Sequence, residues 1–301
     1  MAATLPRRQQ ATQGRAYHQD RIRSCAYAML SRFSYWADSR RNAHDDARLG
    51  TCLAFVAGAA NAGGFLAVGQ YTSHMTGIVS GMADHLILAN VRLAFAGLAA
   101  VAAFMSGAMV SAILVNFARR RRLHARFSIP LLLESALLLI FGLMGARLAA
   151  QTSLLLPLTV LLLCFLMGLQ NAVITKVSRA VIRTTHTTGL ITDIGIELGK
   201  LVYVNRPGNA FTGPSSERLS QSAQALAPVI ANRAKLRLYS LLLAAFFVGG
   251  VIGATGFQWM GYAATIPLAL LLMLIAMPPL SRDLRVRIRL HKRAASHRIA
   301  G

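Results

Sequence analysis

The chain has 301 residues, 55% of them hydrophobic and only 14% charged, whereas a soluble domain averages about 25% charged residues. That apolar surplus points to lipid as the second solvent and not to one oversized soluble core. The net charge of +22 would suit a nucleic-acid binder, but the basic residues cluster at the flanks of apolar runs, which argues for attraction to anionic lipid headgroups instead.

Residues 1–48 form a basic extension carrying nine arginines, from Arg7 to Arg48. Within it Ile22, Ala26, Met29, Phe33 and Trp36 recur at helical spacing, with Arg21, Arg23 and Arg32 to their sides. That pattern fits a basic amphipathic helix lying on the membrane surface as well as it fits a disordered basic arm. The first apolar run starts near Leu49, too late for a secretory signal.

Residues 49–280 read as the membrane domain. Long apolar spans are expected at 49–68, 93–117, 130–148, 154–175, 238–257 and 261–280, each long enough to cross a bilayer. Two shorter stretches, 76–89 and 187–204, are flecked with polar residues and follow loops that carry His and Thr. Between the second of these and the next span lies a cytoplasmic loop, 205–236, rich in Pro, Gly and Ser (Pro207, Gly208, Gly213, Pro214), with room for a short amphipathic helix near 219–230. Residues 281–301 form a basic tail.

Charge assigns the sides. If the six long spans cross and the two short ones dip in and return, only Arg92 and Arg147 of the 32 Lys and Arg fall opposite the rest. If the short stretches also crossed, the arginines of the 119–126 loop would be translocated, against the positive-inside rule. The expected architecture is therefore an all-α integral membrane protein. It has about six transmembrane helices plus two short re-entrant or broken helices, and both termini are cytoplasmic in a bacterial inner membrane.

An internal repeat carries the functional reading. The first copy, 49–149, has Phe55-x-x-Gly58-x-x-Asn61-Ala62 followed by His74-x-Thr76-Gly77. The second, 154–280, has Phe165-x-x-Gly168-x-x-Asn171-Ala172 followed by His186-x-Thr188-Gly189. Three crossings per copy would invert the second copy relative to the first, a plan common among secondary transporters.

An Asn inside hydrocarbon must find hydrogen-bond partners, and Thr-Gly at the start of a short helix leaves backbone N–H groups free to face a ligand. The four acids between Leu49 and Val204 are Asp84, Glu134, Asp193 and Glu197. Asp84 and Asp193 fall on the two short segments. Glu134 is expected near an interface, and Glu197 is placed to pair with Lys200. The candidate substrate-binding set is Asn61, His74, Thr76, Gly77, Asp84, Gln170, Asn171, His186, Thr188, Gly189 and Asp193. The plainer reading, residue by residue, is structural: Asn for interhelical bonds, Gly for close packing, Thr for capping.

Cys25, Cys52 and Cys164 lack the spacing of a disulfide framework or a zinc site. No metal, cofactor or catalytic set is expected, since phosphate-binding loops, zinc helices and nucleophile elbows are absent from the sequence.

These motif blocks resemble the YoaK family of bacterial inner-membrane proteins, whose function is unassigned. Its first half is similar to Gly-x-x-Asp-Ala followed by Met-Thr-Gly-Asn, matched here by Gly58-Ala-Ala-Asn61-Ala62 and Met75-Thr76-Gly77-Ile78. Its second half is similar to Met-Gly-x-Gln-Asn-Ala followed by Thr-x-x-Thr-Gly, matched by Met167-Gly168-Leu169-Gln170-Asn171-Ala172 and Thr185-His186-Thr187-Thr188-Gly189. Asn61 and Ile78 depart from that pattern, and the likeness leaves out the N-terminal extension. The resemblance implies a multi-pass inner-membrane protein and names no substrate.

The expected function is transport of an unknown small molecule, without enzymatic activity. The partners would be the bilayer with its anionic lipids and no nucleic acid; self-association is left open. A membrane scaffold acting through the basic tails is the alternative, and an intramembrane enzyme using His74 or His186 the weaker one.

Overall fold

The computed structural model describes residues 43–148, 152–177, 187–203 and 229–299. The expected surface helix of the N-terminal arm, His186 and residues 205–228 of the 205–236 loop lie outside the described residues. The elements are α1 (Ala43–Val68), α2 (Met75–Ile87), α3 (Val91–Arg120), α4 (Ser128–Leu148), α5 (Thr152–Val177), α6 (Thr187–Val202), α7 (Arg233–Met260), a 3-10 turn (Gly261–Ala264) and α8 (Thr265–Ile299).

Four helical stretches among the described residues are long and apolar enough to cross a membrane: His44–Val68, Val91–Arg120, Leu156–Val177 and Arg233–Arg289. The last runs through α7, the turn and α8 as far as Arg289. Ser128–Leu143, within α4, is a shorter apolar helix. The chain is thus an all-helical membrane protein over its described residues. At 1.5 Å per residue, α2 with 13 residues and α6 with 16 reach about 20–24 Å, short of the roughly 30 Å hydrocarbon core.

Small residues decide how the long helices meet. The repeat glycine Gly58 of α1 lies against the Phe246 carbonyl of α7, and Gly249 of α7 lies against the Phe55 carbonyl of α1. The other pair repeats this reciprocal contact: Gly168 of α5 against the Phe104 carbonyl of α3, and Gly107 of α3 against the Phe165 carbonyl of α5. With no side chain between them, the backbones approach closely enough for Cα–H···O contacts and dense dispersion packing, which hold helices together in lipid.

The same contacts give directions. Phe55, Ala59 and Gly63 meet Gly249, Gly253 and Phe257 in that order, so α1 and α7 run parallel. Along α1, Leu53 receives a hydrogen bond from Gln170 of α5, while Gly64, further on, touches Leu163, so α1 and α5 run antiparallel. Helices α4 and α8 are also antiparallel, since Ser135 bonds to Ala269 while Gly142 and Gly145 meet Thr265 and Tyr262.

The main core gathers Leu49, Leu53, Leu131, Leu166, Met167 and Leu272 from α1, α4, α5 and α8. At the far end Phe141, Phe257 and Tyr262 stack around the 3-10 turn, where Gly261 takes a positive φ of 58° to join α7 to α8.

Two features go beyond the sequence expectation. The basic tail does not begin at the end of α8: the helix continues past Pro278 and Pro279 to Ile299. Asp283, 6% exposed, holds it down by accepting from the Ala125 backbone N–H at 2.9 Å and meeting His124 Nδ1 at 3.1 Å. Arg287 donates to the Arg121 carbonyl. Glu134 faces the interior of the bundle. It is 0% exposed, and neither carboxylate oxygen meets a donor in the structure.

Candidate functional site

The turn after α1 sets the geometry. The chain leaves the helix through Gly69, whose φ of 70° permits the reversal, and returns through Ser73 and His74 into the first turn of α2. Ser73 Oγ donates to Asn61 Oδ1 at 2.8 Å, so the repeat Asn of α1 is tied to the loop that starts the short helix. The His74 ring folds back over Gly77, where a methyl group would strike the imidazole. Gly77 therefore leaves room for the histidine ring.

These residues open onto a cavity of about 980 Å³. Its wall includes Asn61, His74 and Thr76 from the first copy and Asn171 and Thr188 from the second. His186 lies outside the described residues. Phe104 and Phe246 face the cavity too, as do Met75 and Thr187. The wall is thus built from pairs at equivalent repeat positions: Asn61 with Asn171, Thr76 with Thr188, Met75 with Thr187, Phe104 with Phe246. The first turns of α2 and α6 both border it. Backbone N–H groups at a helix start lack intrahelical partners and carry partial positive charge.

Not every candidate is at the wall. Gly77 lines a neighbouring cavity with His74 and His85. Gln170 is buried at the α1–α5 contact, where its Nε2 donates to the Leu53 carbonyl at 3.3 Å and its Oε1 has no partner in the structure. Asp84 is exposed on α2 and Asp193 half-buried on α6; neither borders the cavity, nor does Gly189. Glu197 makes the expected pair with Lys200 at 3.0 Å and also accepts from the Asn232 N–H at 2.8 Å, tying the end of α6 to the start of α7. These two donors hold the Glu197 carboxyl below its ordinary range, the backbone bond most.

Sequence reasoning missed Tyr71, Phe104, Lys176 and Phe246 in the wall. A signal for the two phenylalanines was present: Phe104-x-x-Gly107 in α3 matches Phe246-x-x-Gly249 in α7. Lys176, the last-turn cation of α5, makes no ion pair with a described residue. No Asp or Glu stands among the described wall residues, and no cluster of His, Cys, Asp or Glu among the described residues could hold a metal ion.

No curated protein and no solved structure matches the chain. One family model covers the membrane domain and omits the basic extension, as the YoaK-family resemblance does. By that match, over residues 49–277, the chain belongs to the family described as "Protein of unknown function (DUF1275)".

Proposed function

We propose that this protein is a transporter for a small polar solute, with the 980 Å³ cavity as its binding site. The observation that carries the reading is the paired composition of the wall: residues from both repeat copies, distant in sequence, face one space. Packing alone requires Asn61 and Asn171 to be bonded; it does not require them to share a cavity.

The reading extends to the architecture. Equivalent helices α1 and α5 run antiparallel, and so do α4 and α8, which both open on an Ile-Pro-Leu segment (Ser128-Ile-Pro-Leu131 and Thr265-Ile-Pro-Leu268). These directions support an inverted repeat of six crossings, with α2 and α6 dipping in from opposite faces. Because α7 is parallel to α1, it runs opposite to α5, which favours a short α6 that returns to its own side. The positive-inside rule then puts both termini in the cytoplasm of a bacterial inner membrane. Opposed copies can close one central site from either face in turn. Lys176, the helix starts of α2 and α6, and a described wall free of carboxylates suit a solute bearing an anionic group.

Comparative metabolite profiling tests this. Cells lacking the protein, cells making it, and cells making an Asn171→Leu variant at equal membrane abundance are compared. A solute whose ratio between cells and medium changes with the intact protein and not with the variant is the expected result. Identical profiles in all three strains would contradict the reading, and a variant that fails to reach the membrane would assign Asn171 to folding.

A further inference from the structure

A second space lies between α1 and α7, away from the repeat residues of the first. It is a groove of about 860 Å³ at the N-terminal ends of both helices. Phe55, Leu238 and Leu241 line its apolar part, and His44, Arg48 and Arg237 its rim. We propose that this groove binds one anionic glycerophospholipid of the cytoplasmic leaflet, its phosphate held by Arg48 and Arg237 and its acyl chains lying along the apolar wall.

The helix directions put the basic groups together. Because α1 and α7 are parallel, with Phe55 level with Gly249, their starts share one rim. Arg237 and His44 sit at about one level and Arg48 roughly one turn deeper. Below Arg48 the wall continues along α1 to Phe55, about 10 Å of helix, enough for the upper part of an acyl chain. Neither arginine makes an ion pair with a described residue. Asp45 and Asp46, in the same turn of α1, are not wall residues. Guanidinium groups match phosphate oxygens two at a time and stay charged at the headgroup level.

The repeat supplies an internal control. The positions equivalent to Arg48 and Arg237 are Leu158 on α5 and Phe95 on α3, exposed at 53% and 65%. Helix pairs with the same glycine-based crossing therefore carry two arginines at one end of the bundle and two large apolar side chains at the other. The crossing itself does not demand the charge. The positive-inside rule places basic residues at this end in general; here both arginines rim one apolar groove, an arrangement matched by an anionic lipid of the cytoplasmic leaflet.

The test uses the full-length protein in phosphatidylcholine nanodiscs, titrated with fluorescent phosphatidylglycerol. Saturable binding of one molecule per chain is expected. Arg48→Ala and Arg237→Ala should each weaken it roughly fivefold, and the pair about twentyfold. Arg48→Lys with Arg237→Lys should keep part of the affinity, and Arg289→Ala all of it. A melting curve on each variant separates lost binding from lost folding. Wild-type affinity in the double alanine variant would overturn the proposal. Competition by inorganic phosphate at equal concentration would assign the site to a free anion. Loss of binding on deleting residues 1–42, with both arginines intact, would assign it to the N-terminal arm.

Discussion

Adding one methyl group at Gly58 should open the α1–α7 crossing. A Cβ there falls inside the Phe246 carbonyl oxygen and lies 2.8 Å from its carbon and 3.0 Å from the Gly250 nitrogen. All three are backbone atoms, so no rotamer change relieves the clash. Restoring ordinary separations moves the helices apart by about 1 Å, which forfeits dispersion along the whole contact. Overpacking of this kind costs about 1–3 kcal/mol, and more where backbone meets backbone. Gly168→Ala, its repeat equivalent, meets the Phe104 carbonyl in the same way and should cost a similar amount. Gly81→Ala on α2 and Gly199→Ala on α6 meet nothing within 4 Å, so they should gain about 0.5–1 kcal/mol from helix propensity. The assay is thermal unfolding in one detergent, with the four variants side by side. Unchanged melting in Gly58→Ala and Gly168→Ala would refute the close crossing and the helix directions drawn from it.

The other predictions concern single anchors. Asp283→Ala strands the Ala125 N–H and His124, so it should destabilise the protein by about 1–3 kcal/mol and increase proteolysis in the 119–126 loop. Glu197 has a lowered pKa in the fold. Its contribution is therefore complete above the unfolded carboxylate pKa of about 4.3 and is lost as pH falls through the lower folded value. Melting curves of wild type and Glu197→Gln should differ at neutral pH and converge in acid; a gap that persists in acid refutes the charge argument. Glu134→Met removes a buried carboxyl without a donor at similar volume, so it should raise stability by about 1–3 kcal/mol. A lower melting temperature would mean that the carboxyl has a partner.

The eight helices among the described residues were legible because lipid demands long apolar runs and charge marks their ends; each expected span and short segment has its helix. The Asn-Ala and His-x-Thr-Gly blocks were legible as a repeat because they keep offsets of 110 and 112 residues. The matches beyond those blocks were hidden because the 205–236 loop interrupts the second copy. Past it the offset jumps to 142 between Phe104 and Phe246 and falls to 137 between Pro130 and Pro267, so the Phe-x-x-Gly and Ile-Pro-Leu matches share no single spacing with the first blocks. Asp283 was hidden for another reason. A single acid in a run of arginines reads as part of a solvated tail, and only the continuation of α8 brings it under His124. The burial of Glu134 was hidden because its distance along the helix says nothing about which face the neighbouring helices cover. The acids Asp84 and Asp193 show the converse: position on the short helices did not bring them to the cavity wall.

The central claim is that the two repeat asparagines share one water-filled site, and thiol labelling tests it most directly. In a protein with Cys25, Cys52 and Cys164 replaced by alanine, single cysteines are placed at Asn61, at Asn171 and at Val79, which is 54% exposed on α2. The reconstituted protein is treated with a membrane-impermeant, water-soluble reagent. Reaction is expected at both asparagine positions and little at Val79. If neither asparagine position reacts while the protein remains folded, water does not reach them, and they serve packing alone.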